Sequence, residues 1–160
     1  MKYLLRGIFL TTILLSSFSG LAQAKSSPTA VELVKYNDNV NLPLSVKERG
    51  FLQEVYGDEL QELILSKPQR LKDVKDILRN RVEIVLASQH EKSEYAPLLS
   101  SVPLFDNYND QLEPDITFSK NGFNPLKYRF HFHGFGTSMY KIDKTNYVLI
   151  IKPQHRKGNH

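Results

Sequence analysis

The sequence predicts an α+β domain, with about three N-terminal helices packed on an antiparallel sheet of four to five strands. The first observation is a change of period. Between residues 45 and 81 apolar side chains recur with helical spacing, and from 81 onward the recurring period is two. The second is the strictest alternation in the chain: Leu126, Tyr128, Phe130 and Phe132 interleave with Lys127, Arg129, His131 and His133, the pattern of a half-buried strand.

The helices come first. Ser45-Val46-Lys47-Glu48 fits a capping box, in which the serine hydroxyl and the Glu48 carboxylate satisfy each other's backbone donors. Val46, Phe51, Leu52 and Val55 then give an apolar stripe, and Gly57 is placed to end the helix. Asp58 with Gln61 repeats the cap logic for a short second helix carrying Leu60, Leu63 and Ile64, which stops before Pro68. A third follows, with Leu71, Val74, Ile77 and Leu78 inward and Lys72, Asp73, Lys75, Asp76 and Arg79 toward water. Lys67, Arg70, Lys72, Lys75, Arg79 and Arg81 could be read as an anion-binding or nucleic-acid patch, but Asp73 and Asp76 stand at pairing distance along the helix, so a solvated face is expected and nucleic acid is an unlikely partner.

The strands are expected at 81–87, at 115–118, from about Pro125 to His133, around Tyr140 to Ile142, and from Tyr147 to Ile151. Asn121-Gly122 and Asp143-Lys144-Thr145-Asn146 mark turns. Apolar residues on both faces of 147–151 suit an interior strand, with the 126–133 strand more peripheral. Between Ser88 and Glu113 no period persists, yet Leu98, Leu99, Leu104 and Phe105 recur there, so this connection is expected to drape over the core.

Residues 1–24 read as a secretory signal peptide: Lys2 and Arg6 precede an apolar run from Ile8 to Leu15, too short to span a bilayer, and Ala22-Gln23-Ala24 supplies a cleavage site. Cleavage would lower the formal charge from +4 to +2, because Lys2 and Arg6 leave with the peptide. No transmembrane segment is then expected. A flexible arm at 25–44, with a short strand near 31–36, would lead into one domain at 45–153 and a basic tail at 154–160. The absence of cysteine suits a periplasmic or secreted protein held together by packing alone.

The runs VYGDELQELILSKPQRLKDVKDILRNRV, NPLKYRFHFHGF and IDKTNYVLIIKPQ are similar to those of a set of small exported bacterial proteins without known activity. The resemblance covers about residues 45 to 155 and implies the bacterial envelope as compartment.

Candidate chemistry centres on the polar side of 126–133. His131 and His133 on one strand face could take two positions of a tetrahedral zinc, with a third ligand from His90, Glu83, Asp106, Asp110 or Asp115; Lys127 and Arg129 on that face would oppose a cation. A nuclease-like hydrolase could use His131 or His133 with Glu83 as acid and base and Arg129 for the phosphate. Asp106-Asn107-Tyr108-Asn109-Asp110 resembles the start of a calcium loop but lacks its glycine and its glutamate. No glycine-rich phosphate loop, HExxH, GxSxG or cysteine nucleophile is present, and no cofactor is implied. The reading favoured by these residues is a non-catalytic module that binds a protein or other envelope ligand through Lys127, Arg129, His131 and His133 beside Val148 and Ile150, on the sheet's outer face.

Overall fold

The computed structural model describes residues 37–154. The signal peptide, the arm from 25 to 36 with its expected strand, and residues 155–160 of the tail lie outside the described residues. The regular elements are α1 (Val46–Tyr56), α2 (Pro68–Asp76), β1 (Val82–Leu86), β2 (Ser138–Lys141) and β3 (Tyr147–Ile151), connected by short 3-10 and π-helical turns. The α+β class therefore holds, but among the described residues there are two α-helices and a three-stranded sheet in place of three and of four to five.

The capping box forms as the sequence predicts. Ser45 Oγ accepts from the Glu48 amide at 3.1 Å, and Glu48 Oε2 accepts from the Ser45 amide at 2.7 Å. Gly57 ends α1 at a φ of 49°, a left-handed value that favours glycine. The expected second helix is replaced by a 3-10 turn at Gly57–Glu59 and a π-helical turn at Gln61–Leu65. Its cap does not form, because no side chain satisfies the amides at its start, and the Ser66 amide and hydroxyl close the wide turn back onto Gln61 and Glu62. Leu60 and Ile64 are buried all the same, so the apolar spacing finds its core without a regular helix.

Pro68 stands in the first turn of α2, where its missing amide costs nothing. Val74 and Ile77 face inward as expected, but Lys75 and Arg79 do not face water. Lys75 is buried and donates to the carbonyls of Val40 and Leu42. Arg79 pairs with Glu48 at 2.5 Å and donates to the carbonyls of Asn39 and Pro43. The described part of the arm, 37–44, is thereby fastened to the helices, with Val40 buried.

The sheet runs β1-β3-β2, all antiparallel, with Ile84 opposite Leu149 and Tyr140 opposite Leu149 on the other side. β3 is the interior strand, as its two apolar faces required. Tyr147, Leu149 and Ile151 join a cluster with Leu99, Phe123, Tyr128 and Phe130. On the opposite face Val148 and Ile150 are buried too. Lys141 stands opposite Val148, and its Nζ donates to the Glu94 carbonyl at 2.7 Å. Val148 and Ile150, expected beside the basic and histidine side chains on an outer face of the sheet, are therefore not exposed there.

The 126–133 strand does not form. Pro125–Lys127 is a 3-10 turn, Tyr128 makes one isolated bridge to Leu104, and Phe130 and Phe132 each donate to the carbonyl two residues back, at 2.9 Å. Those successive tight turns use backbone groups that a ladder would need. The segment acts as a wedge. Leu126 joins the helical cluster of Leu52, Val55 and Ile64, Tyr128 and Phe130 join the sheet cluster, and Phe132 packs against both. Residues 115–118 form no strand either, and Ile116 is 96% exposed.

The long connection is irregular, as expected, and covers core only in part. Leu99 and Leu112 are buried and Leu104 and Phe105 half-buried, whereas Leu98 and Tyr95 are exposed.

Candidate functional site

The wedge leaves a groove of about 610 Å³ between itself and the helices. Tyr56, the last residue of α1, and Arg70, Asp73, Val74 and Ile77 along the α2 side supply one wall; Arg129, His131, Phe132 and His133 supply the other; Phe105 and Tyr108 reach in from the long connection. Its size lies within the usual range for small-molecule sites. Of two further concavities, the one of about 430 Å³ beside Leu99 and Asp143 holds Asp115 away from both histidines, and the one of about 360 Å³ beside Glu48 and Lys120 holds none of the candidate chemical residues.

Arg129, His131 and His133 line this groove and Asp106 is bonded to Arg129, whereas Lys127, Glu83, His90, Asp110 and Asp115 do not line it. Lys127 is only 5% exposed and sits between Glu54 at 3.0 Å and Asp115 at 2.8 Å. Burial lowers its pKa, and the bonds to Asp115 and Glu54 outweigh that, leaving it raised. Alternation placed Lys127 outside with Arg129. The 3-10 turn rotates it inward, so it is a structural cation and not part of a binding face. Glu83 is on β1, paired with Lys152 at 2.9 Å, and does not line the groove.

Arg129 is held in place from three sides: Nε donates to the Leu104 carbonyl, and Nη2 to Asp106 and Asn107. Its hydrogen bond lowers the Asp106 pKa. These contacts also account for the calcium-like run. Asp106 and Asn107 serve the guanidinium, and Asn109 forms a local turn by accepting from the Gln111 amide. Neither imidazole of His131 and His133 has a hydrogen-bond or ion-pair partner among the described residues. No group of three or more His, Cys, Asp or Glu with metal-binding placement occurs among the described residues.

Sequence reasoning missed Tyr56, Arg70, Asp73, Phe105 and Tyr108. Tyr56 stacks on Tyr108 with ring centroids 5.5 Å apart, and Phe105 meets both edge-on. Burial raises the Tyr56 pKa, Tyr108 adds to the shift, and the nearby Arg70 charge opposes it. The signal available was the density of aromatics in 105–108, since no local period links that loop to α2.

No family model matches the chain, and no curated protein or solved structure matches it. Among the described residues, no helix is long and apolar enough to cross a membrane.

Proposed function

We propose that this is an exported, non-catalytic binding domain of the bacterial envelope whose working surface is the groove between α2 and the 126–133 wedge. The observation that carries the reading is the convergence of Arg129, His131 and His133 on an aromatic-walled cleft that the rest of the fold leaves open. A cleft with apolar walls and a few unengaged polar groups is the usual form of a ligand site. A nuclease-like hydrolase using His131 or His133 with Glu83 as acid and base would need that carboxylate beside the imidazoles. Glu83, the carboxylate assigned to that role from the sequence, is engaged by Lys152 instead.

Export follows from the Ala22-Gln23-Ala24 site, and mass spectrometry of the envelope fraction should give a chain starting at Lys25. Native mass spectrometry of the same material tests binding. The expected result is an added mass on the native chain that is lost in Tyr108→Arg, a change at a ring 42% exposed that fills the cleft without touching the core. A bare chain, or an added mass that the variant retains, would contradict the reading.

A further inference from the structure

The two edges of the sheet are treated differently by the fold. At the β2 edge the Lys141 amide donates to the Pro97 carbonyl at 2.7 Å, and Leu98 makes a parallel bridge to Lys141, so the long connection meets that strand. The β1 edge has no such cover. The Lys152 amide donates to the Arg81 carbonyl and the Ala87 amide to the Asn146 carbonyl, both at 2.8 Å, which fixes the groups of β1 that face β3. Because ladder bonds alternate along a strand, the odd-numbered residues bond to β3, and Val82, Ile84 and Leu86 turn their backbone groups outward. Among the described residues no hydrogen bond engages the amide or carbonyl of Ile84.

An open edge is a template for a further strand, and proteins that stay apart blunt it with lysine, proline or a bulge. β1 has none of the three. It reads VEIVL, its register with β3 runs unbroken from Val82 to Leu86, and its one charge, Glu83, is drawn to Lys152 at 2.9 Å. Beside the edge lies the concavity of about 360 Å³, whose apolar wall is Phe51, Leu78, Val82, Ile84, Phe123 and Pro125.

The strand is complementary to itself. Two copies placed antiparallel about a twofold axis at Ile84 set Ile84 opposite Ile84, Val82 opposite Leu86 and Glu83 opposite Val85, with the outward backbone groups of the two strands face to face. The alternative axis at Glu83 would oppose two carboxylates at about 4.5 Å between Cα atoms. In the Ile84 register no like charges are opposed, and Leu86 of the second copy comes beside Val82, at the concavity. Antiparallel pairing also closes as a dimer, whereas a parallel pairing of the same edge would not.

We infer that β1 docks against β1 of a second copy of this chain, joining the two three-stranded sheets into one with Ile84 on the twofold axis. This surface is independent of the groove, none of whose lining residues lies on β1. A strand pairing about 17 Å long buries less than the roughly 1,200 Å² of a stable interface, so the dimer is weak and forms with rising concentration.

Sedimentation velocity of the envelope-purified protein over a dilution series should show a monomer–dimer equilibrium. Val85→Glu sets a carboxylate against Glu83 on both sides of the axis and should weaken association about tenfold, whereas Val85→Lys sets the opposite charge there and should strengthen it about threefold. Both variants place a charge at the same half-buried position, so a folding defect would act on the two alike and cannot produce opposite responses. Hydrogen exchange gives a second readout. The Ile84 amide should be protected only at concentrations where the dimer forms, and the Val85 amide, bonded across to β3, at every concentration. A monomer throughout the series, or a dimer that both charges weaken or neither moves, would overturn the assignment, and none of these results bears on ligand binding in the groove.

Discussion

Lys127→Ala separates the folded arrangement from the alternation most sharply. The ammonium makes two charge-assisted bonds, to Glu54 and Asp115, and its stem is packed among α1 and the wedge. Bonds to charged groups contribute about 1.5–3 kcal/mol each, and each buried methylene about 0.8 kcal/mol. The loss is smaller than that total, because Glu54 and Asp115 are partly exposed and regain water. A destabilisation of about 2–4 kcal/mol is expected, read as a lowered urea midpoint at unchanged slope. Lys127→Met keeps the stem and isolates the charge. The Lys127 pKa is raised in the fold, so the charge's contribution is complete below the unfolded lysine value of about 10.4 and is lost as pH rises through the folded value. The stability gap between the native protein and Lys127→Met should therefore be level from pH 6 to 9 and close above about pH 10.5. A change within about 0.5 kcal/mol for Lys127→Ala would mean that the side chain is on the surface and the wedge is wrongly drawn.

Other perturbations follow from the same geometry. Glu48 is lowered from 4.5 to about 2, first by its bond from Arg79 and further by Ser45, so its contribution is present above about 4.5 and disappears as pH falls toward 2. Allowing for solvent screening, Glu48→Gln should lose about 1–2 kcal/mol at pH 7 and almost nothing at pH 2, measured by denaturant melts. Phe130→Ala should cost about 3–5 kcal/mol, against about 1 kcal/mol or less for Arg129→Ala, whose pair with Asp106 is exposed; reversed magnitudes would invert the segment's two sides. In hydrogen exchange, the amides of Val102 and Phe105, which donate to Leu99 and Lys127, should be protected while those near Tyr95 exchange quickly. Rapid exchange throughout 95–108 would show that the connection does not cover core.

The period of 3.6 was legible where a local cap fixed the helix, as at Ser45 and Glu48, and the interior place of β3 followed from its two apolar faces. Alternation in 126–133 did sort Tyr128 and Phe130 inward and Arg129, His131 and His133 outward. It could not show that the backbone would coil between them. Pro125 and the acceptors of α1, Glu54 for both Lys127 and Asn124 and the Phe51 carbonyl for Asn124, favour a turn that draws Lys127 inside. The same blindness applies to Lys75 and Arg79, whose partners are carbonyls of an arm more than thirty residues away and a cap carboxylate. Tyr56, Arg70 and Tyr108 become neighbours only after the chain folds, and no spacing records that.

Protection of single cysteines against maleimide tests the groove directly, because the chain has no cysteine of its own to interfere. Tyr108→Cys, His131→Cys and His133→Cys would be labelled in envelope-purified protein and again after the ligand is stripped by unfolding and refolding, with Ile116→Cys as the exposed reference outside the groove. Labelling at the three groove positions should be at least tenfold slower before stripping, and Ile116→Cys should not change. Equal rates before and after stripping at all four positions would contradict the groove as the binding surface.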